Sequence, residues 1–244
     1  MSIKDCWEAF LDLIFPPKCL VCHVPLEARD NYQLCPSCLS GITFIKPPFC
    51  TLCGMPFKSQ DSLDHLCGEC LTSKRYFTKA RSVGFYEGTL LKAIHLFKYH
   101  RKIHLALPLG YMLSDSVSQL FHMEWVDLLI PVPLHHRRLR ERGFNQALLL
   151  ARILKKRYNK TLATRVLRRW RWTEPQVNLS EKARKNNVKG SFVISNHMTV
   201  KEKNILLLDD VYTTGATINE CGRTLLKAGA NKVYVLTLAR SVRV

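Results

Sequence analysis

Apolar positions change their spacing twice along the chain. Ile3, Trp7, Phe10, Leu11 and Ile14 recur at helical intervals until Pro16-Pro17 stops them, which predicts an amphipathic helix over residues 1–17. Its stripe is expected to pack on the rest of the molecule, a contact with membrane or with a partner protein being the alternative. From 18 to 76 paired cysteine turns set the pattern. From Phe77 onward short apolar runs alternate with helical stretches, as in a mostly parallel sheet covered by helices. Strands are expected at Arg81–Tyr86, Val126–Val132, Thr164–Leu167, Ser191–Ile194, Ile205–Leu208 and Val233–Leu238. Helices are expected near Thr89–Tyr99, Asn145–Tyr158 and Thr217–Ala228, with Gly229 placed for a left-handed cap. Residues 77–244 thus read as a doubly wound α/β domain large enough for its own core.

The cysteines account for the middle segment. Cys19/Cys22, Cys35/Cys38, Cys50/Cys53 and Cys67/Cys70 are four Cys-x-x-Cys pairs, and the chain makes the same unit twice. A Cys-x-x-Cys turn aims two thiolates at one point, and a second turn completes the tetrahedral sulfur set that zinc prefers. Pro36 and Gly54 suit such turns. The reading is a double zinc ribbon with two structural zincs, paired either sequentially or crossed. A thioredoxin-like dithiol would need a βαβ context that residues 1–76 lack. Four sulfurs per metal leave no position for substrate, so these zincs hold structure. His23 and His65 read as spare polar residues, and Cys6 and Cys221 fall outside the pattern, Cys221 as a small buried residue beside Ile218 and Leu225.

The candidate chemistry of the larger segment lies in Asn204-Ile-Leu-Leu-Leu-Asp-Asp-Val-Tyr-Thr-Thr-Gly-Ala-Thr217. An apolar run without alternation implies a strand buried on both faces. Asp209 and Asp210 arrive at its carboxyl end, where open α/β sheets place ligands. Thr213, Thr214, Gly215, Ala216 and Thr217 then lead into a helix, offering backbone N–H groups, hydroxyl donors and a glycine for close approach to a phosphate. The acids suit sugar hydroxyls and, through water, Mg²⁺. Together they describe a site for a ribose 5-phosphate. No Gly-x-x-x-x-Gly-Lys-[Ser/Thr] occurs in the 244 residues.

Composition adds constraints of a different kind. With 47% hydrophobic and 23% charged residues the chain is neither disordered nor fibrous. No apolar run approaches the length of a transmembrane helix, and the amino terminus has no secretory pattern, so a cytoplasmic protein is expected. The net charge of +18 points to polyanionic partners. It is confined: residues 1–76 carry 7 Lys/Arg against 8 Asp/Glu, whereas Arg137–Lys189 alone carries 17 against 3. Within it Arg168-Arg169-Trp170-Arg171-Trp172 interleaves cations with indoles, a composition that tracks a single-stranded nucleic acid and stacks its bases. The alternative is that the two tryptophans alternate on a strand end with one of them in the core.

The segment 204–217 resembles the phosphoribosyl pyrophosphate (PRPP) motif of type I phosphoribosyltransferases. Two further segments narrow the likeness. Pro131, Pro133, Leu139 to Arg142 and Gly143 to Gln146 match a Pro-x-Pro…Arg-x-x-Arg-Gly-Phe-Asn-Gln pattern, and Thr173, Gln176, Leu179, Arg184 and Asn187 match a second. With the ribbon in front, the chain resembles the ComF family (ComFC type), phosphoribosyltransferase-like proteins associated with DNA uptake in naturally competent bacteria. His136 stands where many relatives have proline.

The resemblance implies that the chain binds PRPP with Mg²⁺, Asp209 and Asp210 holding the ribose hydroxyls and Thr213–Thr217 the 5-phosphate. Arg137, Arg138, Arg140 and Arg142, in a pyrophosphate loop, would stabilise the leaving pyrophosphate, and Arg184 would close over it from a mobile loop, Thr173–Asn187. Single-stranded DNA and a helicase or other DNA-uptake protein are the partners implied. No residue set identifies an acceptor and no general base stands out, so a metabolic phosphoribosyltransferase and a non-catalytic adaptor for an uptake helicase or channel are the competing readings.

Overall fold

The computed structural model describes Trp7 and residues 16–27, 32–58, 63–100, 102–173 and 186–242. Trp7 is helical and exposed. The expectations for Ile3, Phe10, Leu11, Ile14 and Cys6, and for Gln176, Leu179 and Arg184, lie outside the described residues.

In chain order the elements are α1 (Pro36–Ser40), α2 (Gly68–Thr72), β1 (Lys79–Phe85), α3 (Gly88–Tyr99), α4 (Ala106–Leu120), β2 (Leu128–Pro131), α5 (His136–Arg142), α6 (Gln146–Tyr158), β3 (Thr161–Leu162), β4 (Leu167–Arg169), β5 (Phe192–Ile194), β6 (Asn204–Tyr212), α7 (Ala216–Lys227) and β7 (Lys232–Arg240). Five strands form one parallel sheet in the order β1-β7-β6-β2-β3. Successive strand residues point to opposite faces, and both faces are covered. Leu206 and Leu208 of β6 join Leu236 and Leu238 of β7 in a core closed by α3, α4 and α6 through Ile94, Phe97, Leu113 and Leu150. Ile205 and Leu207 join Val233 and Val235 in a second core closed by α7 through Ile218, Cys221 and Leu225. This two-sided burial is what the unbroken Ile-Leu-Leu-Leu run demands. α7 ends at Lys227 with Ala228 as its cap, and Gly229 next to it turns left-handed at φ +94°, as its sequence position predicted.

Several elements differ from expectation. The strand expected at Thr164–Leu167 is shifted to Leu167–Arg169, and it and the strand expected at Ser191–Ile194 lie outside the main sheet: β4 and β5 pair antiparallel as a separate two-stranded sheet, Leu167 opposite Ile194. β3 and α4 were not predicted. The arginine-rich stretch after β2 is a helix, α5, not a loop; His135 caps its start by accepting from Arg137 N at 3.3 Å, and Gly143 at φ +82° closes it.

Both ribbons pack on the edge of the sheet. Cys19, Leu34, Cys35 and Ile42 enter the first core, and Cys50, Cys53 and Cys70 the second. The outer edge of β1 is hydrogen-bonded along its length: Ile45 N donates to Val83 O at 2.9 Å, Phe85 N to Thr43 O at 2.9 Å, and Ala80 N to Leu52 O at 2.7 Å. An edge strand that would otherwise template association is thereby covered.

Candidate functional site

The four thiolate pairs settle into two sets, Cys19/Cys22/Cys35/Cys38 and Cys50/Cys53/Cys67/Cys70, with all ligand atoms of a set within 4.8 Å of one another. The pairing is sequential. Neither His23 nor His65 enters a set; His65 stacks on Phe57 at 4.0 Å instead. The two units repeat bond for bond. Cys19 N bonds Val24 O as Cys50 N bonds Met55 O, and Leu26 N bonds Pro17 O as Phe57 N bonds Pro48 O. The knuckle turns left-handed at His23 (φ 64°) and at Gly54 (φ 71°).

The donor sets fit zinc. Four thiolates at bond lengths of about 2.3 Å stand roughly 3.8 Å apart on a tetrahedron, and Cys22–Cys35 and Cys53–Cys67 lie at 3.5 and 3.7 Å. Burial resists ionisation of Cys19 and Cys50. Backbone N–H donors, from Cys22 and Cys35 to the one and from Cys53 and Cys67 to the other, overcome it and bring each thiol down to about 6. Burial and neighbouring cysteines push Cys38 and Cys70 the other way. These are therefore structural zinc sites of a double zinc ribbon.

The second site is a cleft of about 710 Å³ at the carboxyl ends of the sheet strands, between α3, α5 and the start of α7. Asp209 and Asp210 form its floor. Lys98, reaching across from α3, places its ammonium 2.7 Å from Asp210 Oδ1, and both side chains are nearly buried. Burial, and then Asp210, push the Asp209 carboxyl up to about 7 against the pull of Lys98. Thr213, Gly215, Ala216 and Thr217 form one wall. Gly215 (φ +70°) is the amino-terminal cap of α7, so the first free N–H groups of that helix open toward the cleft. Thr214 does not line it; its Oγ1 accepts from Ala216 N at 3.4 Å and shapes the turn.

The opposite wall is cationic. Because α5 is helical, its i, i+3, i+4 face delivers Arg138, Glu141 and Arg142 to the cleft, while Arg137 and Arg140 point away and are exposed. Arg142 bonds Gln146 Oε1 at 3.0 Å and lies 5.2 Å over the Tyr99 ring. Arg169 also reaches in, bonded to Thr173 Oγ1 and packed 5.5 Å over Phe192. Burial pushes both Arg169 and Arg138 below the usual guanidinium range, with Arg138 the next contributor to Arg169 and Arg142 to Arg138. Two acids beside a helix-start loop, facing three arginines that repel one another, suit a ligand with hydroxyls at one end and phosphates around it.

Residues 10–71 match the family model described as a double zinc ribbon domain. Competence protein F of Haemophilus influenzae is 31% identical over 179 residues, 72% of this chain and 78% of that protein. DNA utilization protein YhgH of Escherichia coli is 31% identical over 247 residues, covering 94% of this chain and all of the relative. The chain belongs to the ComF family. Among solved structures, a hypoxanthine phosphoribosyltransferase from Staphylococcus aureus aligns over 54% of this chain and 62% of its own at 15% identity, with a TM-score of 0.35.

In this ComF-family chain the residues expected to bind nucleic acid divide. Arg168, Trp170 and Arg171 face outward; Trp170 is 61% exposed. Trp170 does not alternate on the strand, because β4 stops at Arg169. Its Nε1 donates to Gly190 O at 2.9 Å, and Arg171 donates to Asn187 O and Lys189 O, which pins the segment to the start of β5. Trp172 is half-buried against His135, with Arg137 and Arg138 5.5 and 5.8 Å from its ring. Arg169, grouped with them by sequence, lies in the cleft. Burial, and then the neighbouring His136, Arg169 and Arg137, hold His135 below the usual imidazole range. Sequence reasoning missed His95, Lys98 and Tyr99, by which α3 enters the cleft, and Tyr86, which lines it from the segment between β1 and α3. The signal was there in part: His95, Lys98 and Tyr99 fall at i, i+3, i+4, off the apolar stripe of the same helix.

Proposed function

We propose that this ComF-family protein handles incoming DNA in natural transformation, binding PRPP in the cleft and single-stranded DNA on the adjoining basic face. The observation that carries the reading is the convergence of Asp209, Asp210 and the Gly215–Thr217 helix start with Arg138, Arg142 and Arg169 around one cavity. Asp209 and Asp210 accept from the ribose hydroxyls, Thr213 and the α7 N–H groups hold the 5-phosphate, and the arginines meet the pyrophosphate. Mg²⁺ carried with the pyrophosphate supplies further charge neutralisation. The relatives named for competence and DNA utilization support the biological setting. The DNA reading is supported by the 17 cations within Arg137–Lys189 and by exposed Trp170. Arg138 borders the cleft on one side and Trp172 on the other, so the two surfaces are continuous.

The test is a DNA-uptake assay in cells carrying Asp209→Ala/Asp210→Ala. Lost transformation with normal levels of folded protein is expected, and wild-type transformation would refute the link between cleft and DNA handling. Binding of single strands by the purified protein is expected to weaken steeply with salt, by orders of magnitude between about 50 and 200 mM. It is also expected to fall in Trp170→Ala/Trp172→Ala; salt-insensitive binding would contradict the DNA reading.

A further inference from the structure

The phosphate loop rests on a side chain that the second zinc ribbon holds. A Cβ at Gly215 would lie 2.2 Å from Tyr212 Oη and 2.5 Å from its Cζ, so the hydroxyl end of Tyr212 is the platform on which the loop turns. Tyr212 is 2% exposed, and burial pushes its phenol up to about 12, so it is a neutral hydroxyl. Arg240, its neighbour across the β6–β7 register, stacks its guanidinium 4.2 Å over the ring. The other side of that guanidinium belongs to the ribbon: Nη1 donates to Cys53 O at 2.7 Å, and Nη2 approaches Cys53 Sγ at 3.6 Å. A second cation, Arg75, is placed by Glu69 between the ligands Cys67 and Cys70, and its charge acts on the Tyr212 phenol. Arg81, also buried, donates to Thr51 O at 3.1 Å and fastens the same knuckle to β1.

We infer that the second ribbon is a positioning device for the ligand cleft: Arg240 and Tyr212 transmit the geometry of the Cys50/Cys53/Cys67/Cys70 site to Gly215, so the phosphate loop keeps its shape only while that site is intact. The first ribbon carries no such duty, because Cys19 and Cys35 join the core on the other face of the sheet. The physical reason is the cost of the arrangement. A left-handed residue at a helix start and two buried guanidiniums are each unfavourable alone. They persist because the ribbon carbonyl and thiolate engage both Nη atoms of Arg240, Arg240 fixes the ring, and the ring fills the space under the loop. A metal cluster about 4 Å in span is rigid enough to hold such a chain of contacts in one arrangement, and one misplaced link moves the anion-binding N–H groups.

This inference rests on the pentose-phosphate reading of the cleft, and its test separates the two. Full-length wild type, Arg240→Lys and Glu69→Gln are compared by bound zinc, by amide hydrogen exchange across Thr213–Thr217, and by calorimetry with ribose 5-phosphate. Arg240→Lys keeps a buried cation but cannot span Cys53 and the ring. It is expected to retain both zincs, to exchange the loop amides faster while the β6–β7 core stays protected, and to bind ribose 5-phosphate about tenfold or more weakly. Unchanged loop exchange in both variants, or acceleration spread evenly over β6 and β7, would overturn the relay. Should Arg240→Lys not fold, Cys67→Ser against Cys22→Ser decides: the loop is expected to loosen in the first and not in the second, and equal behaviour refutes the inference. Failure of wild type to bind ribose 5-phosphate sinks the pentose-phosphate reading alone, since loop exchange still reports on the relay.

Discussion

Replacing Gly215 by alanine puts a methyl carbon 2.2 Å from Tyr212 Oη and 2.5 Å from its Cζ, where non-bonded atoms rest about 3.5–4.0 Å apart. Two costs add. The backbone at 215 holds φ +70°, a region that costs a residue with a Cβ about 1–2 kcal/mol. The overlap costs roughly a further 1–3 kcal/mol, because Tyr212 is buried under Arg240 and cannot withdraw without repacking. Gly143, at φ +82° with nothing within 4 Å of its missing Cβ, supplies the control in which the first cost stands alone. Equilibrium unfolding in urea is expected to find Gly215→Ala the more destabilised by about 1–3 kcal/mol, with normal zinc content. The displaced α7 N–H groups should also weaken ribose 5-phosphate binding in calorimetry, whereas Gly143→Ala leaves that wall untouched. Equal losses of stability in the two variants would refute the close approach of Tyr212 to the loop.

Four other outcomes follow from the same geometry. Asp209, pushed up to about 7, must lose its proton to act as a full acceptor, so affinity for Mg²⁺-bearing PRPP should rise from about pH 6 to pH 8. An unfolded aspartate titrates near 3.9, so the ligand-free protein binds the extra proton only when folded and should lose stability from about pH 4 to pH 7, then level off; a urea midpoint that climbs over that range contradicts the shift. Lys98→Met leaves Asp210 and Asp209 without their cation and should cost about 3–5 kcal/mol, more at pH 8 than at pH 5 where a proton can replace the ammonium; a pH-independent loss would point to packing instead. Chelation should release two zincs per chain and lower the thermal midpoint, because both ribbons complete the cores and cover β1; an unchanged midpoint after zinc release would contradict that role.

What the sequence made legible, and what it hid, follow from how local each signal is. The β6 strand, its two acids and the loop into α7 are contiguous, so periodicity and residue type specify them without tertiary information. The zinc pairing was open because Cys-x-x-Cys spacing satisfies either partner; the three-dimensional repeat closes it. α4 escaped notice since Pro108 and Gly110, both poor helix formers, break up its first half, although Asp115, Ser118 and Gln119 mark an exposed polar face in its second. β3 is two residues long and owes its existence to β2 alongside. α5 read as a loop because it has one large apolar residue, Leu139, itself 43% exposed; its caps, His135 and Gly143, were the local signals available. That misreading matters for the cleft, since a helix splits the four arginines into two that face the ligand and two that face solvent. Arg169 and Lys98 enter the cleft by long-range packing, one from a hairpin and one from a helix more than a hundred residues before the acids, and no spacing rule connects them.

The most direct measurement is calorimetry of PRPP with Mg²⁺ against the wild-type chain and Asp209→Ala/Asp210→Ala. Saturable binding to the wild type and none to the folded, zinc-replete variant is the predicted result. Equal heats from both proteins, or no binding by either, would contradict the assignment of the cleft.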